Sequence, residues 1–250
     1  MHRYRLYVPP ENITGDTARL DGDEFHHCVN VLRRTHGTIA VFDGVSREWQ
    51  AVITKVEKQH ASLCLEHLVR EALAPAVRII ACPALTKGKG FDAIIEAATE
   101  LGAHVIAPVI ADRSADRSAA RVRAAELETR RARWRRIAIS AAKQCGLIAL
   151  PDIKQPARLD ELLPSLVPAT TLICTAGQDA APLLHMLERA APGAAAIAVL
   201  VGPEADFTPE ETAAAVEAGA HPVRLGPTTL RAGTATAWAL SVVSAFLAAR

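Results

Sequence analysis

The chain has 250 residues, half of them hydrophobic and 22% charged, enough for one large domain or two modest ones with a sizeable core. Aromatic residues make up only 4%, so the core must be built from Ala, Val, Leu and Ile, which favours helices on a buried parallel sheet over an aromatic-rich β-sandwich. The net charge of +1 gives no bulk attraction to nucleic acid, and five widely spaced cysteines without a CxxC pair exclude a disulfide framework or a zinc site.

The first 70 or so residues read as mostly β. A helix over residues 25–34, capped by Asp23 and stopped by Gly37, interrupts them. Residues 38–43 form a short strand ending at an Asp43-Gly44 turn. Residues 48–56 and 61–68 alternate apolar and polar side chains, as half-buried antiparallel strands do. We assign residues 1–70 to a small β-barrel and 71–76 to a linker. From 77 to 250 the pattern changes to alternating strands and helices.

In that second part, apolar strands are expected at 77–82, 105–109, 171–175 and 195–201, and a short one at 222–225. Helices are expected at 91–101, 115–144, 181–191, 209–218 and 229–248. Such alternation implies a parallel sheet covered on both faces. Between Arg113 and Arg136 stand nine arginines against three acids, which reads either as a solvated helix face or as a phosphate-contacting strip. The start of the chain has no apolar signal core, and no apolar stretch is long enough to span a bilayer. A cytoplasmic protein with free thiols is the expectation.

Chemistry concentrates in residues 200–239, LVGPEADFTPEETAAAVEAGAHPVRLGPTTLRAGTATAWA. One strand runs into Gly202-Pro203-Glu204, and a second into Leu225-Gly226-Pro227. Thr208 is placed to cap the helix that Pro209 opens. Gly-Pro corners at the C-terminal ends of parallel strands predict a ligand crevice there, with small residues admitting close backbone approach.

The pattern GPE-x-x-F-(S/T)-x-x-E followed by LG-x-x-x-LR-x-x-TA resembles the SPOUT superfamily, and within it the bacterial family that methylates N3 of one uridine in 16S ribosomal RNA. Arg5-Leu6-Tyr7-Val8, His26-His27 through Val31-Leu32-Arg33, Phe42-Asp43-Gly44, Lys87, Thr99 to Gly102, and the series Trp134, Ile137, Ala141, Gln144 and Pro151 are similar to that family's other segments. The resemblance spans nearly the whole chain. It implies an α/β fold: a PUA-like RNA-binding barrel, then a parallel-sheet SPOUT domain with a deep trefoil knot, working as a homodimer on 16S ribosomal RNA or the small ribosomal subunit.

S-adenosylmethionine is the implied cofactor. Gly202, Pro203, Glu204, Leu225, Gly226 and Leu230 are its expected cradle, with Thr175 and Ala176 at the border. Arg231, with Arg5, is expected to stabilise RNA or uracil charge, and Asp206 or Glu204 to act as base. Asp206 otherwise reads as a helix-capping acid and Arg231 as a surface arginine. Arg5, Arg33, Lys87, Lys89 and Arg113 are the implied RNA contacts. Three departures from the family pattern stand out: Gly233 where an acid is usual, Gly146-Leu147 where an arginine usually follows the helix glutamine, and Ala205 or Asp206, the latter favoured because it keeps Phe207 in register, where a second glycine is usual. The first two leave open a non-catalytic ribosome-assembly protein, or an enzyme of this fold acting on another RNA. Metal binding by His26-His27 is not expected, because adjacent helical residues point apart and no third ligand is evident.

Overall fold

The computed structural model describes residues 4–86, 90–114, 124–177 and 180–250. The chain divides into two compact units: Met1–Ala74 with Ala142–Leu150, and Pro75–Ala141 with Pro151–Arg250.

In the first unit, β1 (Arg5–Tyr7), β2 (Ile13–Thr14) and β3 (Thr17–Asp21) precede α1 (Gly22–His26), and β4 (Gly37–Phe42), β5 (Arg47–Val56) and β6 (His60–Glu71) follow. They form one sheet in the order β1-β4-β5-β6-β3-β2, antiparallel except for β1 beside β4. The alternation read in β5 is present: Ala51 and Ile53 are buried with Leu6, Leu20, Val41 and Leu63 in one core. The helix predicted at 25–34 starts earlier, at Gly22, and widens into a π-helical turn over His27–Val31. The expected turn is at Asp43-Gly44. The buried Asp43 accepts from the backbone amides of Val45, Ser46 and Arg47 at 2.8, 2.8 and 2.9 Å. Gly44 has φ +75°, and a Cβ there would sit 2.7 Å from the Tyr7 ring and 2.9 Å from Leu150, so only glycine fits.

The second unit contains β7 (Arg78–Pro83), α2 (Gly90–Glu100), β8 (Val105–Ile106), β9 (Val109–Ile110), α3 (Ala124–Cys145), β10 (Asp152–Ile153), β11 (Ala157–Arg158), α4 (Leu159–Leu162), β12 (Thr170–Cys174), β13 (Ala181–Pro182), α5 (Leu183–Ala190), β14 (Ala196–Val201), α6 (Pro209–Glu217), β15 (His221–Arg224) and α7 (Ala232–Ala248). The last turn of α3 belongs to the first unit. Seven strands form an all-parallel sheet in the order β10-β8-β7-β14-β12-β15-β13.

Both faces are covered, and the strands show it. Along β14, Ile197, Val199 and Val201 join one core with α2, α5 and α7, while Ala198 and Leu200 join another with α4 and α6. A wholly apolar strand with period-two partition is what a sheet buried on both sides requires. Trp134 is buried and stacks at 4.7 Å between ring centroids on Phe91. The strand expected over 105–109 breaks at Pro108, which has no N–H to donate to a ladder. The helix expected from Ala181 begins two residues later, because Ala181 and Pro182 add an edge strand beside β15.

Gly233 lies in the first turn of α7, and a Cβ there would meet only Ile94 at an ordinary 3.8 Å. Gly233→Ala is therefore expected to stabilise the protein by about 0.5 kcal/mol, a melting rise of about 1–2 °C by calorimetry, since Ala loses less backbone entropy in a helix. A fall in melting temperature would contradict this.

Candidate active site

Three loops leave the C-terminal ends of neighbouring parallel strands. Residues 175–177 follow β12, residues 202–207 follow β14, and residues 225–230 follow β15. Parallel strands converge their C-terminal loops on one edge of the sheet, which is where open α/β sheets bind ligands. Here the loops enclose a cavity of about 500 Å³, within the range of small-molecule sites. Its lining includes Thr175, Ala176, Gly202, Pro203, Glu204, Leu225, Gly226 and Leu230, all eight of the residues expected to hold a cofactor. Ala232 and Ala235 of α7 complete an apolar side.

The middle loop is tightly built. The Asp206 amide donates to the Pro203 carbonyl at 2.9 Å, closing a turn in which Asp206 takes φ +60°. Asp and Asn tolerate this left-handed backbone better than most residues. Asp206 Oδ1 accepts from the Phe207 amide at 2.8 Å, and Oδ2 accepts from the Ala176 amide at 3.1 Å. Gly202 packs against that carboxylate so closely that a Cβ would lie 2.9 Å from Oδ1 and 3.0 Å from the Phe207 amide nitrogen. Asp206 thus ties two loops together instead of capping α6. Thr208 is the cap: its Oγ1 accepts from the Glu211 amide at 3.1 Å, while Glu211 accepts from the Thr208 amide at 2.8 Å.

Two carboxylates, one cation and one thiol line the cavity. Glu204 is exposed at its rim, and its side chain has no hydrogen bond among the described residues. Arg224, the last residue of β15, supplies the positive charge. Cys174 is buried, and burial, reinforced by the nearby Asp206 charge, pushes its thiol up to about 12, so it serves as an apolar wall. Arg231 is exposed at the start of α7, between the lining residues Leu230 and Ala232, without itself lining the cavity.

The expected RNA contacts fare differently. The Arg5 side chain is only 11% exposed and its guanidinium is occupied. It donates to the carbonyls of Ala142 at 2.6 Å and Leu147 at 3.0 Å, pairs with buried Glu48 at 3.1 Å, and lies over the Phe42 ring. It is a helix-end and core residue of the first unit, and its burial leaves no donor for a phosphate. Arg113 donates to the carbonyls of Ala205 at 3.1 Å and Phe207 at 3.5 Å, bracing the middle loop. Arg33 is exposed with φ +53°. Lys87 and Lys89 lie outside the described residues, as does part of the arginine strip. Of the strip's described members, Arg130 pairs with Glu126, Arg131 with Glu128, and Arg133 with Asp92.

Sequence reading passed over Arg224. Its position at the C-terminal end of a strand, one residue before Leu225-Gly226, was the available signal.

The parallel sheet, its three-loop cavity and the attached antiparallel unit define a protein of the RNA methyltransferase class. Residues 74–244 match the family model described as the RNA methyltransferase domain, and residues 20–63 match that of the RNA methyltransferase PUA domain. A ribosomal RNA small subunit methyltransferase E from Mycobacterium bovis is 35% identical, over 95% of this chain and 90% of that protein. Among solved structures, a ribosomal RNA small subunit methyltransferase E from Neisseria gonorrhoeae bound to S-adenosylmethionine is 29% identical with a TM-score of 0.84, covering 98% of each chain. A Legionella pneumophila methyltransferase in complex with bound S-adenosylmethionine is 27% identical with a TM-score of 0.86, again over 98% of each chain. The chain belongs to the ribosomal RNA small subunit methyltransferase E family.

Proposed function

We propose that this protein methylates N3 of a uridine in 16S ribosomal RNA, using S-adenosylmethionine held by the three-loop cavity. The observation that carries the reading is that cavity: about 500 Å³, built from strand-end loops, with exposed backbone beside small and apolar side chains. Those surfaces suit an adenosine. Thr175, Ala176, Gly202, Pro203, Leu225, Gly226 and Leu230 would hold the cofactor, with Arg224 contributing positive charge to the lining. When bound, the cofactor supplies an activated methyl group, which leaves the protein mainly to align the acceptor.

Uracil N3 carries a proton, and in a duplex that edge is paired, so the target base must be unpaired or splayed out. In our reading Glu204 takes the N3 proton. Glu204 is preferred to Asp206 because protonating Asp206 would weaken its hydrogen bonds from two backbone amides. Arg231, exposed beside the cavity, offsets uracil or phosphate charge, and Arg33 adds an RNA contact from the first unit.

The trefoil knot that the family resemblance implies is part of this proposal. β12 and β13 are consecutive in the chain, yet β15 lies between them. A homodimer is also proposed, through α7, where the 41%-exposed Trp238 shares a face with small residues such as Ser241 and Ala245. Among the described residues, no helix is long and apolar enough to cross a membrane. A cytoplasmic setting among ribosomes is the natural one for this chemistry.

Purified protein, labelled S-adenosylmethionine and small ribosomal subunits from cells lacking the protein test the reading. One N3-methylated uridine in 16S RNA is expected by mass mapping. Label in transfer RNA instead would reassign the substrate. No label, together with no calorimetric binding of the donor, would favour the ribosome-assembly role.

A further inference from the structure

We infer that Asp206 is a positioning residue that clasps two of the three loops and so sets the shape of the donor cavity. The inference rests on the proposed donor-binding reading, but its structural core is independent of it. A glycine would suit the left-handed backbone here but has no side chain to reach across. Asp206 keeps that conformation, at φ +60°, and adds a carboxylate.

The carboxylate accepts from the Ala176 amide at 3.1 Å, joining the loop after β14 to the loop after β12. Its other oxygen accepts from the Phe207 amide at 2.8 Å, which fixes the side chain's own direction. Gly202 closes against it with no room for a Cβ. From elsewhere in the second unit, Arg113 holds the same loop by the carbonyls of Ala205 and Phe207. Three cavity-lining residues, Ala176, Gly202 and Asp206, are thereby joined through one side chain and its immediate contacts. Hydrogen bonds from amides to a carboxylate are charge-assisted and stronger than neutral ones, so losing the clasp frees both loops.

The test compares Asp206→Ala, Asp206→Gly and Asp206→Asn in the full chain. Donor affinity is measured by calorimetry, KM and kcat on small ribosomal subunits, and amide hydrogen exchange at Ala176 and Phe207 by NMR. Asp206→Ala and Asp206→Gly are expected to weaken donor binding about tenfold, raise donor KM in step, and leave kcat at saturating donor within about twofold. The glycine variant separates the clasp from backbone strain, since it relieves strain yet lacks the carboxylate. Asp206→Asn keeps one accepting oxygen and tolerates the left-handed backbone, so it should stay within about threefold of the native protein.

Amide exchange at Ala176 and Phe207 should quicken in the alanine and glycine variants even without donor. Unchanged exchange overturns the clasp. A kcat loss of about a hundredfold at unchanged KM would instead make Asp206 the proton acceptor and overturn the positioning role. If the native protein fails to bind donor while exchange responds as expected, the clasp stands and the donor reading falls.

Discussion

Replacing Glu204 by Gln is expected to lower turnover on small ribosomal subunits about 100- to 1000-fold while leaving donor affinity within about threefold. Two carboxylates line the cavity, and among the described residues only Glu204 has no hydrogen bond that protonation would weaken. Asp206 has an amide on each oxygen, whereas Glu204 is exposed at the rim without a hydrogen bond among the described residues. General-base catalysis typically contributes a factor of about 10² to 10⁴, and glutamine keeps the shape of the side chain while removing its basicity. Single-turnover methylation separates this from slow product release, and calorimetry reports donor binding. Equal single-turnover rates for the two proteins would remove Glu204 from the chemistry.

Glu48→Ala is expected to cost the first unit about 3 kcal/mol. The Glu48 side chain is 6% exposed and balances Arg5, which is 11% exposed. It also receives Arg70, at 2.8 Å from Nε. Removing one partner of a buried pair leaves the other charge stranded, at a typical cost of about 3–5 kcal/mol. The lower end applies because Arg5 keeps the carbonyls of Ala142 and Leu147. Arg70→Ala should cost less, about 1 kcal/mol or under, since that side chain is 48% exposed. Hydrogen exchange of the β4 and β5 amides reads the loss locally. Protection equal to that of the native protein would show that the pair contributes nothing net.

How far the sequence announced these features depends on the range of the interactions behind them. The buried strands were legible because burial on both faces leaves an unbroken apolar run, as in Ala196–Val201. The cavity was legible because Gly-Pro corners mark strand ends, and both corners line it. Arg5 reads as an RNA contact in the sequence because the carboxylate it pairs with, Glu48, lies 43 positions away in the chain. The departure at Leu147 has a similar lesson. What Arg5 uses there is the backbone carbonyl, which every residue offers. Asp206 was read as a base or a cap because the Ala176 amide it binds is 30 positions earlier. Periodicity likewise says nothing about which strands become neighbours, so the place of β15 between β12 and β13 could not be derived from it.

That placement has a consequence for biosynthesis. Translation delivers the three pocket loops in turn, and the last is fixed only when β15 has slotted between strands made earlier and the closing helix, 17 residues long, has docked. A chain cut before β15 is expected to keep its first unit but to lack a complete pocket.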